Sequence, residues 1–492
     1  MPVAASLVAV LAALGTVSGL AQQELADWTE YTHDRAGSGY AAEDVISPSN
    51  AASLAPMAGW DLTLPNDAIC PSPLDTCSSA IAAQPVIATV SGAVLMYLGS
   101  WNGSEYAICA ARSCTVGATS YSAGQIVWRR YLGRTAGCKG PYHSNVNGIT
   151  STAAVARVTI GGTVRTVVYV GGGGNISRDG TVFPGRARLF ALDALDGSVV
   201  WQQPLGNAPS HYTWSSPRVA NGSVYIGIAS LGDCPLVQGK LFQFSPEGQL
   251  QHSFSVVPAG CLGGGVWGTP SIDPAGNLYV PTGNAGACFQ AEPLAVSILR
   301  LSPSLTLQSH WQIPAAEQIG DGDFGSVPTL FSGTVSLNGQ LRQLLGIVNK
   351  NGTYYVLDRS NLALGPIKRL KIGLSLVPSA WDGRRIYIAG GRTTINGVVY
   401  AGSIRSFDPN NLTSPIWQRG LGNTPLAAVS ASPGLVVFGV GSRTVVLFSA
   451  TGNRAFFKEA SGRFFGAPTI SHGVIWEGDT SGVVHAYSVN GA

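Results

Sequence analysis

The sequence predicts an all-β chain folded as one closed, eight-bladed β-propeller, and three observations predict it. A strand–turn–strand unit ending on an aromatic residue recurs along the chain. Glycine is abundant and charge is scarce. The two ends of the chain carry complementary fragments of one unit. In 492 residues there are 63 glycines, 45% apolar residues and only 11% charged ones. An ordinary soluble domain carries about 25% charged residues, so helices laced with surface ion pairs are excluded and short strands joined by tight turns are implied. Lysine and arginine number 29 against 26 acidic residues, a net charge of +3. No basic block of the kind that grips phosphates occurs, which excludes a nucleic-acid partner.

The repeat is clearest at residues 167–171, Val-Val-Tyr-Val-Gly, followed by residues 188–201, Arg-Leu-Phe-Ala-Leu-Asp-Ala-Leu-Asp-Gly-Ser-Val-Val-Trp. Alternating apolar residues, an Asp-Gly turn and a last strand ending on Trp201 make it strand, turn, strand. Degenerate copies lie at 240–248 closing on Phe254, 298–303 on Trp311, 354–359 on Ile367, 404–409 on Trp417 and 446–452 on Phe457. With Trp60 and Trp128 the closing residues number eight, 40 to 73 residues apart, a spacing that suits four-stranded blades. The last copy, 482–488, has inner strands and no closing strand, whereas residues 58–64 are a closing strand with no blade before them. The two complete each other, and such closure removes exposed sheet edges. Trp60, Trp128, Trp201, Trp311 and Trp417 are expected to pack blade against blade.

Residues 1–21 form an apolar run with Gly19 and Ala21 near its end, the pattern of a cleaved signal peptide, although its only positive charge is the amino terminus. The remaining residues, 22–492, are expected to form the single propeller domain, exported from the cell: extracellular, or periplasmic in a bacterium. Later apolar stretches are too short to cross a bilayer. Eight cysteines suit export. Cys70 and Cys77, and Cys109 and Cys114, are close enough to close small loops, while Cys138, Cys234, Cys261 and Cys288 stand apart, and their connectivity stays open. Sequons begin at Asn102, Asn175, Asn221, Asn351 and Asn411.

The form Ala-Leu-Asp-x-x-x-Gly-x-x-x-Trp at 191–201 resembles the tryptophan-docking motif of pyrroloquinoline quinone (PQQ) enzymes, and the opening Trp-Thr-Glu-Tyr-Thr-His-Asp at 28–34 resembles the start of many members of that superfamily. The chain is similar to its polyvinyl-alcohol-dehydrogenase-like branch. The resemblance implies PQQ and Ca²⁺ as cofactors, an alcohol group of a small molecule, polymer or sugar as substrate, and a separate electron acceptor. It also implies the roles of four stretches. Trp267, in Gly-Gly-Val-Trp-Gly-Thr-Pro, matches the floor beneath the quinone, where an indole buries a flat ring well. Asn284, in Thr-Gly-Asn, matches a calcium ligand that offers an amide oxygen to a hard cation. Asp323, in Gly-Asp-Gly-Asp-Phe-Gly, matches the base that takes the alcohol proton while hydride leaves for the quinone. Asp321 beside it is a second ligand or a loop cap. Lys350, in Asn-Lys-Asn-Gly, matches a cation held against the quinone oxygens. The sequon at Asn351 next to it is therefore expected to be buried or unused. Lanthanide-dependent relatives carry a second aspartate two positions after the base; Gly325 stands there, which favours calcium.

Two departures weigh against catalysis. The adjacent cysteine pair of the quinoprotein alcohol dehydrogenases is missing, and so is their ligand glutamate; in the matching stretch, 226–234, Asp233 is the only acidic substitute. No haem-attachment Cys-x-x-Cys-His occurs either. Zinc, serine-hydrolase and nucleotide-binding motifs are absent, and His143 and His211 stand as lone histidines near the loops. Two readings follow: a PQQ-dependent dehydrogenase, or a non-catalytic propeller that binds a protein or glycan. Convergence of Asp323, Asn284, Lys350 and Trp267 at one end of the central channel is what the first requires.

Overall fold

A computed structural model describes residues 26–67, 69, 78–137, 145–286, 288–334 and 339–492. The leader at 1–21, Cys70, Cys77, Cys138 and His143 lie outside the described residues. Eight antiparallel sheets follow one another along the chain, each built in sequence order from the channel outward. Blades 1 to 7 span 86–131, 154–207, 211–255, 271–312, 329–371, 380–421 and 430–459. Blade 8 takes three strands from residues 469–489, and the N-terminal strands Leu54–Pro56 and Leu62–Thr63 pair with its last strand, Leu62 opposite Val484. The closure expected from the two ends is therefore present, and Ile367 does close blade 5, in the strand Pro366–Lys371.

Burial follows position. Second strands such as Ser223–Ser230 are buried along their whole length, because sheets cover both faces. Outer strands such as Leu307–Gln312 are exposed or half-buried at all positions but one. The outer-strand tryptophans lock neighbouring blades. Trp128, Trp201 and Trp417 donate Nε1–H to the carbonyls of Ala194, Pro246 and Ser449 in the next blade, at 2.9, 2.7 and 2.8 Å. Each indole lies on a turn glycine of that blade, Gly197, Gly248 or Gly452, where an added Cβ would come within 2.6 Å of the ring.

The first strands ring the channel, and residues 26–41 run round inside them. This segment meets all eight blades in order. Asp27 accepts from His472 in blade 8 at 2.8 Å, and Trp28 exchanges backbone bonds with Ile87 in blade 1. Thr29 then accepts from Val155 and Tyr31 from Arg218, Arg35 from Ile272, Ala36 from Leu330, Ser38 from Trp381 and Gly39 from Ala431. Gly37 (φ 67°) and Gly39 (φ 60°) pass so close to the blades that an added Cβ would lie 2.7 Å from the Pro328 oxygen and 2.8 Å from that of Val429. Among the described residues no helix is long and apolar enough to cross a membrane.

Candidate active site at the channel mouth

The chain enters each first strand from one end of the channel and leaves each second strand at that same end, because the strands are antiparallel. Trp267 and Asp323 precede the first strands of blades 4 and 5. Asp233, Asn284 and Lys350 follow the second strands of blades 3, 4 and 5. Topology therefore brings all the singled-out residues to one mouth. The inner belt crosses blade 4 at Ile272, five residues further along than Trp267, or ~16 Å at strand rise.

Their side chains form one network. Lys350 Nζ lies 2.6 Å from Asp321 Oδ1 and 2.7 Å from Asp323 Oδ1. The Trp267 indole N–H donates to Asp323 Oδ2 at 2.8 Å, and the Lys350 ammonium stands 4.8 Å from the centroid of the same indole. Asn284 donates Nδ2–H to Asp233 Oδ2 and to Asp321 Oδ1, both at 2.9 Å. Ser230 holds Asp233 from below, its hydroxyl donating to Oδ1 at 2.8 Å. His211 is not part of the cluster: its Nδ1 sits 3.1 Å from the Asn207 carbonyl.

The two acids of the Gly-Asp-Gly-Asp-Phe-Gly loop differ in kind. The Asp323 side chain is 4% exposed and that of Asp321 is 70% exposed. Burial pushes the Asp323 carboxyl above its ordinary value, and Lys350 and Trp267 oppose that shift without cancelling it. For Asp321 burial is outweighed by the bonds from Lys350 and Asn284, and its carboxyl is lowered. Burial works against the Lys350 charge, but Asp323 and Asp321 outweigh it and raise its pKa, so the lysine stays cationic. Asp323 Oδ1 is buried and lies at ion-pair distance from Lys350, yet outside hydrogen-bond geometry. The oxygen is thus nearly dry and only partly satisfied.

This arrangement suits the two groups that the resemblance implies. The oxygens of Asp233, Asp321 and Asp323 and the amide oxygen of Asn284 are hard donors of the type calcium prefers; here the Lys350 ammonium and the Asn284 N–H stand between the carboxylates, which do not gather within 4.8 Å of one another. An indole with a lysine ammonium over it offers a flat, anionic quinone both a stacking surface and a counter-charge. Gly325 touches the indole so closely that an added Cβ would fall 1.7 Å from Trp267 Cη2. No side chain can stand at that position without moving the tryptophan.

Three features carried no separate signal in the sequence: the hydroxyl of Ser230, the contact at Gly325, and the bridge between Cys261 and Cys288. That disulfide closes the segment containing both Trp267 and Asn284. Inside it, Gly264 N donates to the Asn284 carbonyl and Gly283 N to that of Gly265, each at 2.7 Å. Cys234, next to Asp233, is disulfide-bonded as well, and Cys109 pairs with Cys114. A Cys261→Ser/Cys288→Ser variant is expected to bind Tb³⁺, a luminescent substitute for calcium sensitised by nearby tryptophan, about tenfold more weakly. The control Cys109→Ser/Cys114→Ser variant is expected to bind it normally. Asn351, the sequon beside Lys350, is engaged: its Nδ2 donates to the Glu317 carbonyl and the Tyr355 hydroxyl.

Comparison with known proteins agrees with this architecture. Residues 112–289, which include Asp233, Trp267 and Asn284, match a family model described as outer membrane protein assembly factor BamB. Over 214 residues, 35% of this chain, it is 29% identical to the quinohemoprotein alcohol dehydrogenase ADH IIB of Pseudomonas putida. Over 220 residues it is 26% identical to the dehydrogenase subunit of a quinone alcohol dehydrogenase of Gluconobacter oxydans. These matches span only 30% and 28% of the two relatives. The crystal structure of quinohemoprotein alcohol dehydrogenase from Comamonas testosteroni superposes with a TM-score of 0.69 over 95% of this chain and 81% of that one. At 17% identity that likeness establishes a shared fold.

Proposed function

We propose that this chain, a member of the PQQ-dependent alcohol-dehydrogenase-like β-propeller superfamily, is an exported dehydrogenase that oxidises an alcohol group at the mouth of its channel. The observation that carries the proposal is the buried, incompletely satisfied Asp323 carboxylate between an indole N–H and a lysine ammonium. If bound, PQQ would supply the hydride acceptor and calcium would supply a Lewis acid. Asp233, Asn284 and Asp321 are the residues that would hold the cation, and Trp267 and Lys350 those that would hold the quinone.

The chain's own groups do the rest. Asp323 accepts the proton of the substrate hydroxyl; its poor solvation strengthens it as a base. The Trp267 N–H fixes one carboxylate oxygen and leaves the other facing the Lys350 ammonium. Lys350 offers its ammonium to charge that builds on an oxygen beside it. The electrons would need an acceptor, and this sequence holds no haem-attachment motif. The disulfides and the apolar leader support export.

The alternative is a non-catalytic propeller that binds a protein or glycan. It is favoured by the missing cysteine pair and glutamate, and by a family match whose description is that of an assembly factor. Titration of leader-free protein with PQQ plus calcium decides between the two. Saturable quinone binding and dye reduction with an alcohol panel are expected. Folded protein that binds no quinone at millimolar calcium would leave only the scaffold reading.

A further inference from the structure

The mouth has a second, aromatic half opposite the charged one. Lys350 lies in the turn Asn349-Lys-Asn-Gly-Thr353 of blade 5, and Trp101 lies in the matching turn Ser100-Trp-Asn-Gly-Ser104 of blade 1. The turns are built alike. Asn351 and Asn102 each accept from the backbone two residues on, and each donates to the tyrosine four residues on, Tyr355 and Tyr106. The partner ring matches too: Trp267 stands three residues before Pro270, and Phe465 three before Pro468, each proline leading into a first strand. Lys350 over Trp267 is thus paralleled, four blades away, by Trp101 against Phe465 with centroids 6.5 Å apart.

Between the halves the aromatic surface continues. Trp214 occupies the Trp267 position in blade 3, three residues before Pro217. Its N–H donates to the carbonyl of Ser230, the residue whose hydroxyl holds Asp233. Tyr212 packs edge-on against it at 4.9 Å and shares a 2.6 Å hydrogen bond with Thr150, which accepts from the Trp101 indole at 3.1 Å. Trp214, Thr150 and Phe465 are half-buried, whereas Trp101 is buried and backs Phe465. Every indole N–H here is tied down, which fixes ring orientation before any ligand arrives.

We propose that this arc is a substrate subsite for an oligosaccharide, whose sugar rings lay their C–H faces on Trp214 and Phe465, with Trp101 buried behind Phe465 as its support, while one hydroxyl reaches Asp323. The inference rests on the dehydrogenase reading for that last contact. A short alcohol would leave the arc unused. A wholly apolar chain would gain nothing from the hydroxyl and carbonyl groups set between the rings, whereas a sugar presents both kinds of surface.

The test is tryptophan-fluorescence titration of the cofactor-free protein with cellohexaose and maltohexaose, and with glucose, 1-propanol and poly(vinyl alcohol) for comparison. Saturable quenching by a hexaose is expected, with glucose at least tenfold weaker. Trp214→Ala should weaken hexaose binding about tenfold, and Trp214→Phe, which keeps a ring, should restore most of it. Hexaose binding without turnover in the presence of PQQ and calcium would uphold the subsite and defeat the dehydrogenase reading. Unchanged affinity in Trp214→Ala, or binding of poly(vinyl alcohol) and not of either hexaose, would overturn the subsite.

Discussion

Asp323→Asn is expected to lower turnover of the quinone-loaded protein by about 10²- to 10⁴-fold, the range for losing a general base, while PQQ still binds. Asparagine keeps the volume, and its amide oxygen can still accept the Trp267 N–H, so the indole has no reason to move. The comparison that gives this result meaning is Asp321→Asn. Both acids touch Lys350, but Asp321 is largely exposed and Asp323 is nearly enclosed. Only a dry carboxylate pays no reorganisation of water when it takes a proton. Asp321→Asn should therefore weaken cation binding and leave kcat within about tenfold once the cation is saturating. Steady-state kinetics at high calcium, together with quinone absorbance, separates the two effects. If Asp321→Asn abolished turnover and Asp323→Asn spared it, the base would have been assigned to the wrong acid.

Arg218→Met is expected to cost stability, by about 3–5 kcal/mol, the usual result of stripping one partner from a buried ion pair. Arg218 is fully buried where the inner belt passes blade 3. It bonds the carbonyls of Pro270 and Tyr31 and the Thr32 hydroxyl, and lies 3.4 Å from the Glu30 carboxylate. Burial already raises the Glu30 pKa above its ordinary value, with Arg218 as the main opposing influence. Without that arginine the carboxyl rises further. A folded state that binds a proton more tightly than the unfolded chain is stabilised below the unfolded pKa and loses that stability as pH rises through the folded one. The deficit of the variant should thus be small near pH ~4 and grow toward pH ~7. Adding Glu30→Gln should recover part of it at the higher pH. Urea midpoints of the wild type, the two single variants Arg218→Met and Glu30→Gln, and the double variant, at both pH values, measure this. A deficit that does not change with pH would mean that the lost packing and hydrogen bonds, and not the stranded Glu30 charge, set the cost.

Much of this molecule is legible in one dimension because its forces are local and repeated. The tight turns, the alternation of apolar residues and the aromatic or aliphatic closing residue in each outer strand recur at blade spacing. The complementary fragments at 58–64 and 482–488 announce the closure that Leu62 and Val484 carry out. The order of Trp267, Asn284, Asp323 and Lys350 is equally visible, since each sits in its own short motif. Their union is not visible there. Asp233 is 51 residues from the amide it meets, and Asp323 is 56 from the indole that holds it. Only the turn of successive blades about one axis brings such residues together.

The pairing of Cys261 with Cys288 was likewise a matter of space, because any of several partners was chemically possible. The belt at 26–41 left the faintest trace of all. Its bonds to the blades are mostly made by backbone N–H and C=O groups, which every residue but proline possesses. Its glycines hint at tight passages without naming what they pass. From its sequence this protein determines how its blades form, how many there are and which chemical groups it can present. The tertiary structure alone decides which of those groups meet, because a carboxylate becomes a base, a ligand or a mere turn according to neighbours that lie whole blades away along the chain.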